Sequence, residues 1–197
     1  MRFSLFGVLA LSGLSIATPT IAKRADAVSV LTDLKAQVFT FTGAINATLA
    51  TLSPDSSAAD KAAAVPEVGA QITSITSAVN SAIAELNSLA ATPEKRSPLS
   101  IDAIEAPTWE KRQEAAIIVA VLLAAIFVEI IATLLGAIAI LGGAVLIVFT
   151  TPLTAALPLL ILAVEALLNV VLGGVTVLLD TLLTTLALAL AGALGGL

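Results

Sequence analysis

Residues 113–197 run for 85 positions without one Lys, Arg or His, and no other feature limits the possible folds of this chain so strongly. The ionisable side chains in that stretch are Glu114, Glu129, Glu165 and Asp180, with 35 uncharged residues between Glu129 and Glu165. About 20 predominantly apolar residues already suffice for a helix that crosses a bilayer, so a run of this length implies several membrane-type helices or a dry assembly.

Composition gives the rest of the chain a different character. Overall, 58% of residues are hydrophobic and 12% charged, against about 25% charged in soluble domains. A single soluble globule is therefore excluded. The excess is uneven, because residues 25–110 are an ordinary polar and apolar mixture, and two functional halves follow. The net charge of −5 excludes a nucleic-acid partner, which needs a basic surface to release counterions. With no Cys, the fold depends on helix packing, partners or lipid, with no disulfide framework.

Met1-Arg2, the apolar run of residues 3–14 and the small-residue site Ser15-Ile16-Ala17 predict a secretory signal peptide over residues 1–17, with Ala22 as a second possible cleavage point. A short pro-segment, residues 18–24, ends in Lys23-Arg24, and the dipeptide recurs as Lys95-Arg96 and Lys111-Arg112. These pairs use six of the nine cations and stand where composition changes. The arrangement resembles a fungal secretory precursor trimmed by a kexin-type protease. It implies products over residues 25–96, 97–112 and 113–197, in extracellular, cell-surface or membrane locations.

Within the first product, Leu31, Leu34, Val38, Phe41, Ile45, Leu49 and Leu52 recur at helical spacing, and Ser53-Pro54-Asp55 ends the pattern. Val65, Val68, Ile72, Ile75, Val79, Leu86 and Leu89 repeat it, with Pro66 expected in a first turn and Pro93 at the end. An antiparallel amphipathic hairpin is predicted, its stripes meeting in a small bundle or binding lipid or a hydrophobic surface. Asn46-Ala47-Thr48 matches the N-glycosylation acceptor, with Asn46 on the outward side next to Ile45.

This Ala/Ser/Thr-rich, Cys-free pattern runs through "ADAVSVLTDLKAQVFTFTGAINATLATL" and "VGAQITSITSAVNSAIAELNSL". It resembles the start of the fungal hydrophobic surface-binding protein A and cell-wall galactomannoprotein family. The resemblance covers residues 25–92 and implies a secreted helical bundle that attaches to hydrophobic surfaces or holds lipid without catalysis. Where further amphipathic helices would follow in that family, this chain has a dibasic site and its apolar segment. Residues 97–112, with Pro98, Pro107, three acids and Trp109, are predicted to be a spacer too short to fold alone.

In the apolar segment, residues 115–135 contain thirteen Ile, Leu, Val or Phe residues and one acid. At about −0.3 to −0.6 kcal/mol each, they outweigh an acid costing about 2.5–3.5 kcal/mol at the helix centre. Breaks are expected at Gly142-Gly143, Thr151-Pro152, Pro158 and Gly173-Gly174. The predicted fold is all-α, an amphipathic hairpin followed by a strongly hydrophobic bundle of two to four membrane-type helices. Small residues spaced four apart, including Ala132/Gly136, Ala139/Gly143 and Gly192/Gly196, are candidates for close helix packing and self-association.

Glu129, Glu165 and Asp180 are the candidate functional acids. An acid in an apolar helix faces a partner, a cavity or water, or sits at a helix end, where Asp180 is expected to cap. No basic residue follows Arg112 to fix a membrane orientation, which favours a segment released by proteolysis over a resident transporter. Asp180 and the lack of a polar spacer argue against a GPI signal. No catalytic residue is assigned: His, Cys and Tyr are absent, and the chain has no nucleophile elbow, phosphate-binding loop or metal-ligand cluster, so no cofactor is expected.

The leading expectation is a non-enzymatic secreted precursor whose soluble hairpin escorts an acidic, hydrophobic segment that inserts into a lipid bilayer or assembles at the cell surface. The alternatives are an intact cell-wall protein on hydrophobic surfaces and a resident multi-span membrane protein with a luminal helical domain.

Overall fold

A computed structural model describes the backbone of residues 19–91, 109–168 and 172–195. The signal peptide, Lys95, Arg96, Pro93, Gly196 and all of the spacer before Trp109 lie outside the described residues. Among the described residues there are five α-helices and no strand: α1 (Pro19–Ala50), α2 (Ala58–Ala91), α3 (Trp109–Leu141), α4 (Gly143–Leu168) and α5 (Gly173–Gly195).

The predicted stripes are the buried faces of α1 and α2. Leu31, Leu34, Val38, Ile45 and Leu49 face inward from α1, and Val68, Ile72, Ile75, Val79 and Leu86 from α2. Between the helices, the Ser57 hydroxyl accepts from the Asp60 amide at 3.1 Å and donates to the Asp60 carboxylate at 2.6 Å, a reciprocal cap that starts α2. Lys61 extends its ammonium to the Pro54 carbonyl and closes the same turn. This cap starts the helix eight residues ahead of Pro66, which is interior and not in the first turn as expected.

The expected breaks at Pro152 and Pro158 do not occur, and α4 runs through both. Each proline removes the N–H that would reach the carbonyl four residues back, and the Thr151 and Thr154 hydroxyls bond other carbonyls, those of Ile147 at 2.7 Å and Thr151 at 3.0 Å, so α4 is held through both prolines by packing against α2, α3 and α5. The break at Gly142 does occur. Its φ of +90° lies in the left-handed region, and its N–H donates to the Ile138 carbonyl at 3.0 Å, closing the end of α3.

The helices form three layers. α1 packs on α3 and α2 on α4, while α5 lies against α3 and α4 and touches neither α1 nor α2. One continuous core joins all five, with Leu123, Ile126, Phe127, Ile130, Ile131 and Leu134 of α3 fully buried at its centre. Burying each such side chain contributes about 1.5–3 kcal/mol, and the hairpin stripes are covered both by each other and by docking on the apolar helices.

Candidate functional site

Three helical stretches are long and apolar enough to cross a membrane: Ala116–Leu141, Gly143–Leu168 and Gly173–Gly192. Fewer than half of the residues in each are buried, and the remainder are partly or fully exposed. Apart from Phe39, every large hydrophobic side chain left exposed among the described residues belongs to α3, α4 or α5, including Ile117, Val121, Val148, Leu159, Leu162 and Val177. By contrast the outer face of the hairpin carries Asp33, Gln37, Asn46, Glu67, Asn80 and Glu85. The molecule therefore has a polar side, made by α1 and α2, and an apolar side, made by α3 to α5.

Two contacts mark the seam between these sides. The Thr42 hydroxyl, fully buried on α1, donates to the Glu129 carboxylate on α3 at 2.8 Å. Glu129 stands near the middle of its candidate span and is half-buried. The second contact joins α2 to α4. A Cβ added at Gly69 would lie 2.6–2.8 Å from the outer ring atoms of Phe149, so the ring is seated where any other residue would put a side chain. A stripe position held by Gly and another held by Thr are the sequence signals for these contacts: residue 69 falls between Val65 and Ile72, and residue 42 between Val38 and Ile45.

The other two acids have separate tasks. Glu165, on α4, accepts from the Leu172 amide at 2.7 Å, placing a carboxylate at the N-terminus of α5, where the helix dipole favours it. Asp180 is exposed and two turns inside α5, which starts at Gly173, so it does not cap that helix as expected. The hydrogen-bond partners of Glu129 and Glu165 are neutral, and no group of three or more His, Cys, Asp or Glu that could hold a metal occurs among the described residues.

The small-residue positions divide similarly. Gly143 is buried at the start of α4, whereas Ala132, Gly136 and Gly192 are exposed, and nothing lies within 4 Å of a Cβ built on either glycine. Ala132/Gly136 and Gly192 do not mediate packing within the chain. Ala120 and Ala124 instead line an open apolar groove of about 460 Å³ with Ile117, Val121, Gly173 and Val175, where α3 passes the start of α5.

Of the expected processing sites, Lys23-Arg24 lies in the second turn of α1 and Lys111-Arg112 in the first turn of α3. Cations at the positive end of a helix dipole weaken the terminal turn, and such turns fray. Asn46 is exposed on α1, beside the buried Ile45. Comparison with family models, with curated proteins and with solved structures finds no match to this chain.

Proposed function

We propose that this chain is a secreted, non-enzymatic precursor of the fungal type, cut after its Lys-Arg pairs to release an acidic, hydrophobic helical segment that inserts into membranes. In this account residues 1–17 direct secretion, Asn46 carries a glycan, and the hairpin, which resembles the surface-binding family, escorts the apolar helices. The observation that carries the proposal is the set of three helices long enough to span, each with an outward apolar face. Such faces are stable in hydrocarbon and a liability in water.

Intact-mass analysis of medium and membrane fractions tests it, in cells with and without the dibasic protease. A fragment beginning at Gln113 that appears only with the protease is expected, and uncut chain in both cells contradicts release.

One observation favours a second reading. The polar outer face of the hairpin and the apolar outer face of α3 to α5 would let the intact chain lie on a hydrophobic surface, as in the resembled family. Full-length protein in a detergent-free extract of wall or medium is the outcome that reading requires.

A further inference from the structure

We infer that the α1–α2 hairpin is an autoinhibitory cover, and that its docking on α3 and α4 and the insertion of those helices into a bilayer exclude one another. The inference rests on the membrane-acting function proposed above. It adds how that action is held back in the uncut chain.

The cover lies on the span itself. Thr42 reaches Glu129 near the midpoint of Ala116–Leu141, and α2 seats Gly69 on Phe149 within Gly143–Leu168. With α3 across a bilayer, a hairpin still docked at Glu129 would be carried into the hydrocarbon core, together with the outward-facing Gln37, Asn46 and Glu67 that flank the Thr42 and Gly69 contacts. Hydrocarbon offers those groups no partner. The hairpin must leave before α3 and α4 can span, and departure opens the face of α3 and α4 that it buries.

Linkage through residues 92–108 makes docking intramolecular, at an effective concentration on the order of millimolar for a short linker. A cut at Lys95-Arg96 or Lys111-Arg112 abolishes that advantage. The switch thus needs no new contact, only loss of the tether between cover and covered helices.

Gly69 provides a test that leaves the protease out. Leu at position 69 favours helix in α2 but collides with the Phe149 ring, and overpacking of this kind shifts a docking equilibrium by about tenfold to a hundredfold. The full uncut chain is added to phosphatidylcholine vesicles holding a quenched dye, as wild type, Gly69→Leu, and Gly69→Leu with Phe149→Ala, which makes room for the new side chain. Leakage about tenfold or more faster for Gly69→Leu than for wild type, returning towards wild type in the double variant, is the expected result.

Thr42→Val, which removes the hydroxyl donated to Glu129 and adds almost no volume, gives an independent arm should Gly69→Leu fail to fold. It too should accelerate leakage. Wild type leaking as fast as these variants would overturn the cover. Because no protease is present, absence of the Gln113 fragment in cells leaves this result standing. Conversely, a released fragment together with fast wild-type leakage would sink the cover alone.

Discussion

Thr42 and Glu129 show how one hydrogen bond can set the register of two layers. Removing the hydroxyl takes its donor from the half-buried Glu129 carboxylate, and an unmet polar group of this kind costs about 1–3 kcal/mol. Thr42→Val should therefore lower stability by about 1–2 kcal/mol, read as a shift in the urea midpoint followed by helical circular dichroism. Thr42→Ser, which keeps the donor, should lose less than half of that. A loss in Thr42→Ser with none in Thr42→Val would assign the effect to methyl packing. Glu129 stood out in the sequence because acids are rare in its surroundings. Its partner was not legible, since 87 residues separate the two and only docking of the hairpin brings them together. Asp180 was misread as a cap for a related reason: the start of α5 is set by Gly173 and by Glu165 reaching over from α4.

At the level of single helices, two glycines of similar appearance have opposite consequences. Gly142 holds φ at +90° with no neighbour within 4 Å of a built Cβ, so Gly142→Ala should destabilise through backbone strain alone, by about 1–2 kcal/mol. Gly136 sits inside α3 with equally open surroundings, so Gly136→Ala should stabilise by about 0.5–1 kcal/mol. Urea titration of the pair checks both signs, and destabilisation by Gly136→Ala would show that the exposed Ala132/Gly136 face is already engaged. Ser57→Ala should cost about 1 kcal/mol through loss of the reciprocal cap with Asp60. Apolar spacing made the hairpin faces legible, and Ser53-Pro54-Asp55 made its turn legible. The course of α4 was not, because Pro152 and Pro158 signal breaks locally, while packing against α2, α3 and α5 sustains the helix.

The whole molecule is two-sided, and that property decides where it is stable. In water the hairpin shields one face of α3 and α4, yet Ile117, Val121, Val148, Leu159 and Leu162 stay exposed. In a bilayer those side chains are satisfied, while Glu67 on a docked hairpin would oppose insertion by about 2.5–3.5 kcal/mol, if it counts as an Asp at the helix centre, and the outward-facing Gln37 and Asn46 would add to the cost. Neither solvent suits the intact arrangement, which is the physical basis of the proposed switch. The two halves were legible separately, because positive charge ends at Arg112 and greasiness begins beyond it. Their union in one core was not, since the Gly69–Phe149 and Thr42–Glu129 contacts leave only small or polar gaps in otherwise regular stripes.

The most direct test of the account is the distance between the hairpin and α4 in water and in a bilayer. The chain has no Cys, so Ser81→Cys and Leu159→Cys, both at exposed positions, take one pair of spin labels at defined sites on α2 and α4. A narrow distance distribution in water is predicted, giving way to a shifted and broader one once the Leu159→Cys label is immersed in phosphatidylcholine hydrocarbon. An unchanged distance in chains whose α4 label is immersed would contradict the account, because the hairpin would then have entered the membrane still docked.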